Sequence, residues 1–307
     1  MRLRHAIVLA VLSLIWGASY LLIAYAVEDL PEAWVVLVRT ALAAVALWVY
    51  VRLSRPSLMA QAHDALRRPW TALGFGMASI SAPFMLITYG ERTVPTGLTA
   101  VLIASAPIFI AAMAPLLDPS ESMTARQWLG LVVGLSGVGL LVGVEQLHSV
   151  GALLGAAAMI AAAASYALAG FVLKRSYPGF SPVVTSLISI AAAALIVLPA
   201  AMLQPPTHTP GLRAMGALLV LGLLGTAYAF VEYYRLIHEI GYGKASIVAY
   251  TIPPVALAYG TVFRDERIGP ATIGGMALIL AGVFLVARGG RRSGREAREA
   301  ASASARA

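Results

Sequence analysis

Long apolar runs separated by short polar links make up almost the whole chain. Ten runs rich in Leu, Ala, Val and Ile fall at 6–27, 33–52, 70–90, 96–117, 125–144, 151–173, 182–203, 213–234, 244–263 and 269–288, most of them bounded by Pro, Gly or charge. About 20 residues at 1.5 Å rise cross a hydrocarbon core of ~30 Å, so each run has the length of a transmembrane helix. None alternates apolar and polar residues as a membrane strand would. The pattern predicts an all-α membrane protein of ten transmembrane helices.

Composition agrees. Of the 307 residues 60% are apolar and 12% charged, with a mean hydropathy of +0.82; a soluble globule carries about a quarter charged residues. The formal net charge of +8 does not point to nucleic acid, because Arg288, Arg291, Arg292, Arg295, Arg298 and Arg306 crowd the C-terminal end. A basic tail at 289–307 behind a membrane helix reads as a cytoplasmic anchor facing anionic lipid. With no cysteine, disulfides, Cys-bound zinc, Fe–S clusters and thiol catalysis are excluded. No cofactor and no metal site are expected. Ala24-Tyr25-Ala26 mimics a signal-peptidase site, but the run from Ala6 to Val27 is long enough to span and has a counterpart later in the chain.

Charge in the links sets an expected orientation. With the N-terminus inside, the cytoplasmic segments hold Arg2, Arg4, Arg52, Arg55, Arg67 and Arg68, then Arg126, Lys174, Arg175, Arg235 and Lys244, and the six arginines of the C-terminal end. That is 17 of the 22 Lys and Arg; the opposite side has only Arg92, Arg213, Arg264 and Arg267, and Arg39 falls inside a run. Both termini are therefore expected in the cytoplasm, which demands an even number of spans.

The chain also repeats itself. Ala18-Ser19-Tyr20 matches Ala164-Ser165-Tyr166 at an offset of 146, and Pro107 matches Pro254 at 147. Glu121, Gly130, Gly137 and Val138 match Glu266, Gly275, Gly282 and Val283 at 145. Collinear matches at a near-constant offset divide the chain into a five-helix repeat at 6–144 and a second at 151–288. Five being odd, the repeats enter the membrane in opposite directions, the usual scaffold of secondary transporters with a site near the midplane.

Trp16-Gly17-Ala18-Ser19-Tyr20, Pro31 and Arg39 resemble the opening signature of the EamA family in the drug/metabolite transporter superfamily. Tyr89-Gly90-Glu91 through Gly97-Leu98-Thr99-Ala100 to Pro107 resembles that family's passage from third to fourth helix, and Gly241, Lys244-Ala245-Ser246, Pro254, Asp265-Glu266, Gly275 and Gly282-Val283 resemble its closing pattern. The resemblance implies a ten-helix inner-membrane carrier with a central cavity, often an exporter of amino acids or related metabolites. Two departures stand out: Arg264-Asp265-Glu266 replaces the family's hydrophobic-Gly-Glu ending, and Glu232 stands where relatives carry an apolar residue.

Charges within spans mark candidate chemistry, since an ionisable group at the bilayer centre costs on the order of 3 kcal/mol even on lenient scales. Arg39 has a functional reading, as an anchor for a substrate carboxylate or a partner for a helical carboxylate, and a structural one, as a snorkelling Arg or one bonded to loop carbonyls. Glu91 and Glu232 could bind a proton or a cationic solute, or be solvated boundary residues beside Arg92 and Arg235. Trp16, Tyr20, Tyr166, Tyr228 and Tyr250 supply flat faces with polar tips, and Ser19 and Ser165 neighbouring hydroxyls, suited to a cavity for a small amphipathic solute. An interfacial aromatic belt accounts for Tyr89, Tyr233 and Tyr234. Pro107 and Pro254 are candidate hinges, and Gly130-xxx-Gly134 allows close helix packing, within the chain or in a homodimer.

What is missing narrows the function. Gly243-Lys244 has His238 where a phosphate loop needs glycine. No His-Glu-x-x-His or Gly-x-Ser-x-Gly motif occurs. The leading expectation is a secondary-active or facilitative carrier of small metabolites working by alternating access; the alternative is a polytopic enzyme acting on a lipid-linked or apolar substrate.

Overall fold

The computed structural model describes residues 3–117, 123–144, 149–177, 179–241, 245 and 248–304. Arg2, Glu121, Gly243, Lys244, Ser246 and Arg306, which entered the charge, repeat, motif and resemblance patterns, lie outside the described residues. Among those described, every regular element is helical.

Helices α1 (Leu3–Asp29) and α2 (Glu32–Ser54) are joined at Pro31, whose extended backbone starts α2. A 3-10 turn (Pro56–Leu58) and the short α3 (Met59–Leu66) lead to the third run. That run is α4 (Pro69–Gly76), a π turn (Met77–Ser81) and α5 (Ala82–Gly90). Pro83 gives the π turn its reason: it has no N–H to donate, and the wider turn moves the preceding carbonyls away from its ring.

The fourth run is likewise interrupted, into α6 (Thr96–Ile103) and α7 (Ala106–Leu117). The gap at Ala104-Ser105 precedes Pro107, which cannot bond to the carbonyl of Ile103; Ser105 Oγ donates instead to Leu102 O at 2.6 Å. Helix α8 (Ala125–Val144) starts with a reciprocal cap, Thr124 N–H to Gln127 Oε1 (2.9 Å) and Gln127 N–H to Thr124 Oγ1 (3.3 Å). Ser149 caps α9 (Val150–Ser176) through the Ala152 N–H.

Next come α10 (Pro182–Leu203), α11 (Leu212–Gly222), a second π turn (Leu223–Tyr228) and α12 (Ala229–Ile240), which Gly241 ends at φ +81°. Helix α13 (Val248–Arg264) contains both Pro253 and Pro254, and α14 runs Pro270–Ser304. Among the described residues seven helices are long and apolar enough to cross a membrane: Leu3–Asp29, Glu32–Ser54, Pro69–Gly90, Thr96–Met113, Val150–Leu173, Pro182–Leu203 and Leu212–Ile240. Ala125–Leu141 and Pro270–Val286 are shorter apolar helices.

Packing follows a paired scheme. Helix α2 lies on α10 and α8 on α14, while α1 packs against α11 and α13, and α9 against α5 and α7. Large apolar side chains such as Leu14, Trp48, Val132, Leu195, Leu219 and Phe284 point outward. A water-exposed surface of this kind would aggregate, whereas lipid accepts it without cost. The buried core runs between α1, α6 and α9 and, on the other side, between α2, α5, α10 and α12.

Candidate functional site

A cavity of about 190 Å³ lies at the junction of these pairs. It is smaller than the roughly 300–1,000 Å³ typical of drug-sized ligands, which fits a small solute. Trp16, Ser19 and Tyr20 of α1, Arg39 of α2, Tyr166 of α9 and Pro107 of α7 all line it. The cavity lining runs from Ile23, Ile87 and Ala100, on the side of Glu91, past Tyr20 and Arg39 to Leu173, Ile237 and Val248.

Arg39 is only 2% exposed. Its Nε and Nη2 donate to Thr226 Oγ1 at 3.2 and 3.1 Å, and its guanidinium carbon lies 3.9 Å from the Phe84 ring centroid. The Thr226 hydroxyl donates to Leu221 O, five residues back, at 2.8 Å. That bond directs the Thr226 hydroxyl hydrogen to its own helix and leaves the oxygen lone pairs for the Arg39 guanidinium. Among the described residues no carboxylate pairs with Arg39. Tyr20 and Tyr166, related by the 146-residue offset, both share its electrostatic neighbourhood.

Around this charge the wall is aromatic. Trp16 donates from Nε1 to Gly225 O (3.2 Å) and packs edge-on against Phe230 (5.8 Å) and Tyr233 (5.2 Å). Phe230 in turn meets Phe84 at 6.1 Å and Tyr234 at 5.9 Å, also edge-on. Tyr233 and Tyr234 are therefore corrected from membrane-belt residues to cavity wall. Phe75, Phe84, Phe230 and Thr226 are also part of the site and went unnoticed in the sequence, because a Phe or Thr in an apolar run gives no sign of which way it faces.

Other expected residues lie elsewhere. Tyr228, expected in the cavity, is 43% exposed on the outer surface. The π turn adds a residue and so rotates the helix, turning Thr226 inward and Tyr228 outward. Ser165 donates to Ala78 O, inside the first π turn, at 2.9 Å, and is not part of the cavity wall. Tyr250 is half-buried against the core beside α6 and α9, also off the wall. Glu232 pairs with Arg235 at 2.5 Å along α12. Pro107 sits at the helix break, whereas Pro254 is exposed within continuous α13 and Pro253 is buried.

Glu91 lies in the link between α5 and α6 and is 7% exposed. Its Oε2 accepts a long bond of 3.5 Å from Thr96 Oγ1, while its Oε1 and the buried hydroxyls of Thr88 and Thr99 have no partner. Burial, and then the neighbouring Glu266, push its carboxyl well above the usual carboxylate range, with Arg264 opposing.

On the same face Glu266 accepts from the Thr96 and Gly97 N–H groups at 2.8 and 3.0 Å. Arg264 pairs with Glu28 at 2.8 Å, Arg92 pairs with Glu32, and Asp29 accepts from Gly211 N–H at 2.7 Å. The opposite face carries Arg4 and His5 against Glu239 at 3.2 and 3.1 Å.

Apolar spans around a small, partly polar internal cavity define a polytopic membrane transporter. The comparisons with known proteins agree. The model of the EamA-like transporter family matches residues 4–143 and again 153–288, and the chain belongs to that family.

It is 27% identical to an uncharacterized transporter, YoaV, of Bacillus subtilis, over 89% of this chain and 93% of that protein. It is 28% identical to a probable terminal-alkyne amino-acid exporter of Streptantibioticus cattleyicolor, over 94% and 95%. It is 26% identical to the uncharacterized inner membrane transporter YedA of Escherichia coli K12, over 91% and 89%. A crystal structure of a protein 16% identical superposes with a TM-score of 0.66 over 95% of this chain and 99% of that one, a likeness of fold alone. Family and relatives are named as transporters rather than enzymes.

Proposed function

We propose that the protein is an inner-membrane carrier that exports small carboxylate-bearing metabolites, amino acids above all, by alternating access. The observation that carries this reading is Arg39: a buried guanidinium at a cavity wall, with a hydroxyl and a ring for partners and no carboxylate. A desolvated cation is costly unless its charge is matched. A solute carboxylate supplies the match, Tyr20 and Tyr166 stand beside it, and the aromatic wall takes the rest of the molecule. The name of the Streptantibioticus relative, an amino-acid exporter, points the same way.

Ten spans in two inverted repeats, at 6–144 and 151–288, with both termini and the tail 289–307 on the cytoplasmic side, complete the proposal. The two family matches cover nearly those ranges. The π turns begin at Met77 and Leu223, an offset of 146, and α1 and α9 are each 27 residues long. Gly130 faces Gly282 while Gly137 faces Gly275, the reciprocal pattern a two-fold axis produces. In this orientation the Glu266 face is outer and closed, and the cavity faces the cytoplasm.

Counterflow into proteoliposomes preloaded with single amino acids, other small carboxylates, or neutral and cationic solutes tests the proposal. Saturable accumulation of a carboxylate-bearing solute, lost in Arg39→Gln, is expected. Accumulation of cationic solutes alone, or unchanged carboxylate counterflow in Arg39→Gln, would sink it.

A further inference from the structure

Two carboxylates meet at the outer face with too few cations between them. Glu266 accepts from two backbone N–H groups, with Arg264 Nε at 3.9 Å. Glu91 is buried next to it, and among the described residues no cation lies within ion-pairing distance of its carboxylate. The groups around Glu91 are few. Arg92 turns away to Glu32 and to Leu30 O; Arg264 is engaged by Glu28. Tyr20 approaches from α1, Thr96 and Thr99 from α6, and α9 offers Gly155 and Met159 to the adjacent Gly90.

We propose that Glu91, with Thr88 and Thr99, forms a proton-binding site whose occupancy holds the outer face closed, so that each closure takes up one proton. Two adjacent carboxylates in a low-dielectric pocket do not both ionise. Amide donors favour the charged form of the carboxylate they meet; Glu266 has two and Glu91 has only the long Thr96 hydroxyl bond, so the shared proton is assigned to Glu91. The neutral carboxyl then has an O–H to give; Thr99 is an electrostatic neighbour of the carboxyl, Thr88 lies three residues back on α5, and both buried hydroxyls have acceptor capacity to spare. Loss of the proton sets Glu91 against Glu266, loosens the hold of Glu266 on the first turn of α6, and releases the outer ends of α6 and α13. The proton comes from and returns to the outer water, which reaches Glu91 once the face opens. The inference rests on the carrier reading, but its test needs no transported solute, so the two fail separately.

The chain has no cysteine, which permits clean thiol labelling. Val94, 2% exposed in the link after Glu91, is replaced in Val94→Cys; Thr209→Cys on an exposed loop corrects for thiol ionisation. A membrane-impermeant maleimide is applied outside right-side-out proteoliposomes from acidic to mildly alkaline pH. The Val94→Cys rate, relative to Thr209→Cys, is expected to rise several-fold with pH. In Glu91→Gln it stays low and flat, and in Glu91→Asp, which still titrates, the rise returns. A flat profile with Glu91 intact, a persisting rise in Glu91→Gln, fast labelling of Glu91→Gln at every pH, or a response to sodium at constant pH in place of the response to pH would each overturn the proposal.

Discussion

Gly130 of α8 and Gly282 of α14 touch backbone to backbone: a Cβ on either would stand 2.6 Å from the other's carbonyl oxygen. Gly137 repeats the arrangement one step along, with Gly275 O at 2.7 Å from where its Cβ would be. Small residues let helices approach where lipid gives no hydrophobic push toward association, so this seam is what fastens α8 to α14. Gly130→Leu or Gly282→Leu should force the helices apart at a cost of at least about 1–3 kcal/mol. Gly139, with nothing within 4 Å of its Cβ position, should accept Ala without loss. Thermal unfolding in detergent compares them, and equal melting of the Gly282→Leu and Gly139→Ala proteins would refute a packed seam.

Arg39 should tolerate lysine poorly. Lysine keeps the charge but loses the planar fork that spans Thr226 and the stacking on Phe84. Hydrogen bonds to charged groups are worth about 1.5–3 kcal/mol each, so loss of one raises half-saturation for a carboxylate solute by about one to two orders of magnitude. Phe84→Leu should have the smaller effect of one cation–π contact, about 0.5–2 kcal/mol. Concentration-dependent counterflow separates affinity from maximal rate. An Arg39→Lys protein with unchanged half-saturation would show that the guanidinium does not meet the solute.

The apolar runs were legible in the sequence because span length is a one-dimensional quantity, set by residues adjacent in the chain. Arg39, Tyr20 and Tyr166 stood out for a similar reason, as polar groups where polarity is costly. Facing direction was not legible. Two π turns each add a residue to a helix, and although Pro83 follows the first, no proline marks the second: Tyr228 rotates out while Thr226 rotates in. Ser165 repeats Ser19 in sequence, yet Ser165 bonds to a carbonyl of another helix and Ser19 to Ile15 O on its own. The contact of Glu266 with the Thr96 amide joins residues 170 positions apart, which only tertiary packing decides.

Tyr228 and Tyr234 therefore make an informative pair. Tyr234 lines the cavity and meets Phe230 edge-on, whereas Tyr228 faces outward. Tyr234→Ala should enlarge the cavity and shift preference toward bulkier solutes; Tyr228→Ala should leave preference unchanged. Competition of a small against a bulky amino acid in counterflow measures both. A shift caused by Tyr228→Ala and not by Tyr234→Ala would invert the assignment of the two faces of the second π turn and α12.

Glu232 should prove silent in coupling. Its carboxylate pairs with Arg235 three residues on, and the Arg235 side chain is 40% exposed. A pair of that kind contributes about 0–1 kcal/mol, and its arginine neighbour supplies the cation that Glu91 lacks. Glu232→Gln should thus change stability by well under a kcal/mol and leave the pH profile of counterflow where it was. Glu91→Gln, by contrast, should flatten that profile. A profile that moves with Glu232→Gln and stays fixed with Glu91→Gln would transfer the proton-binding role from the outer link to α12.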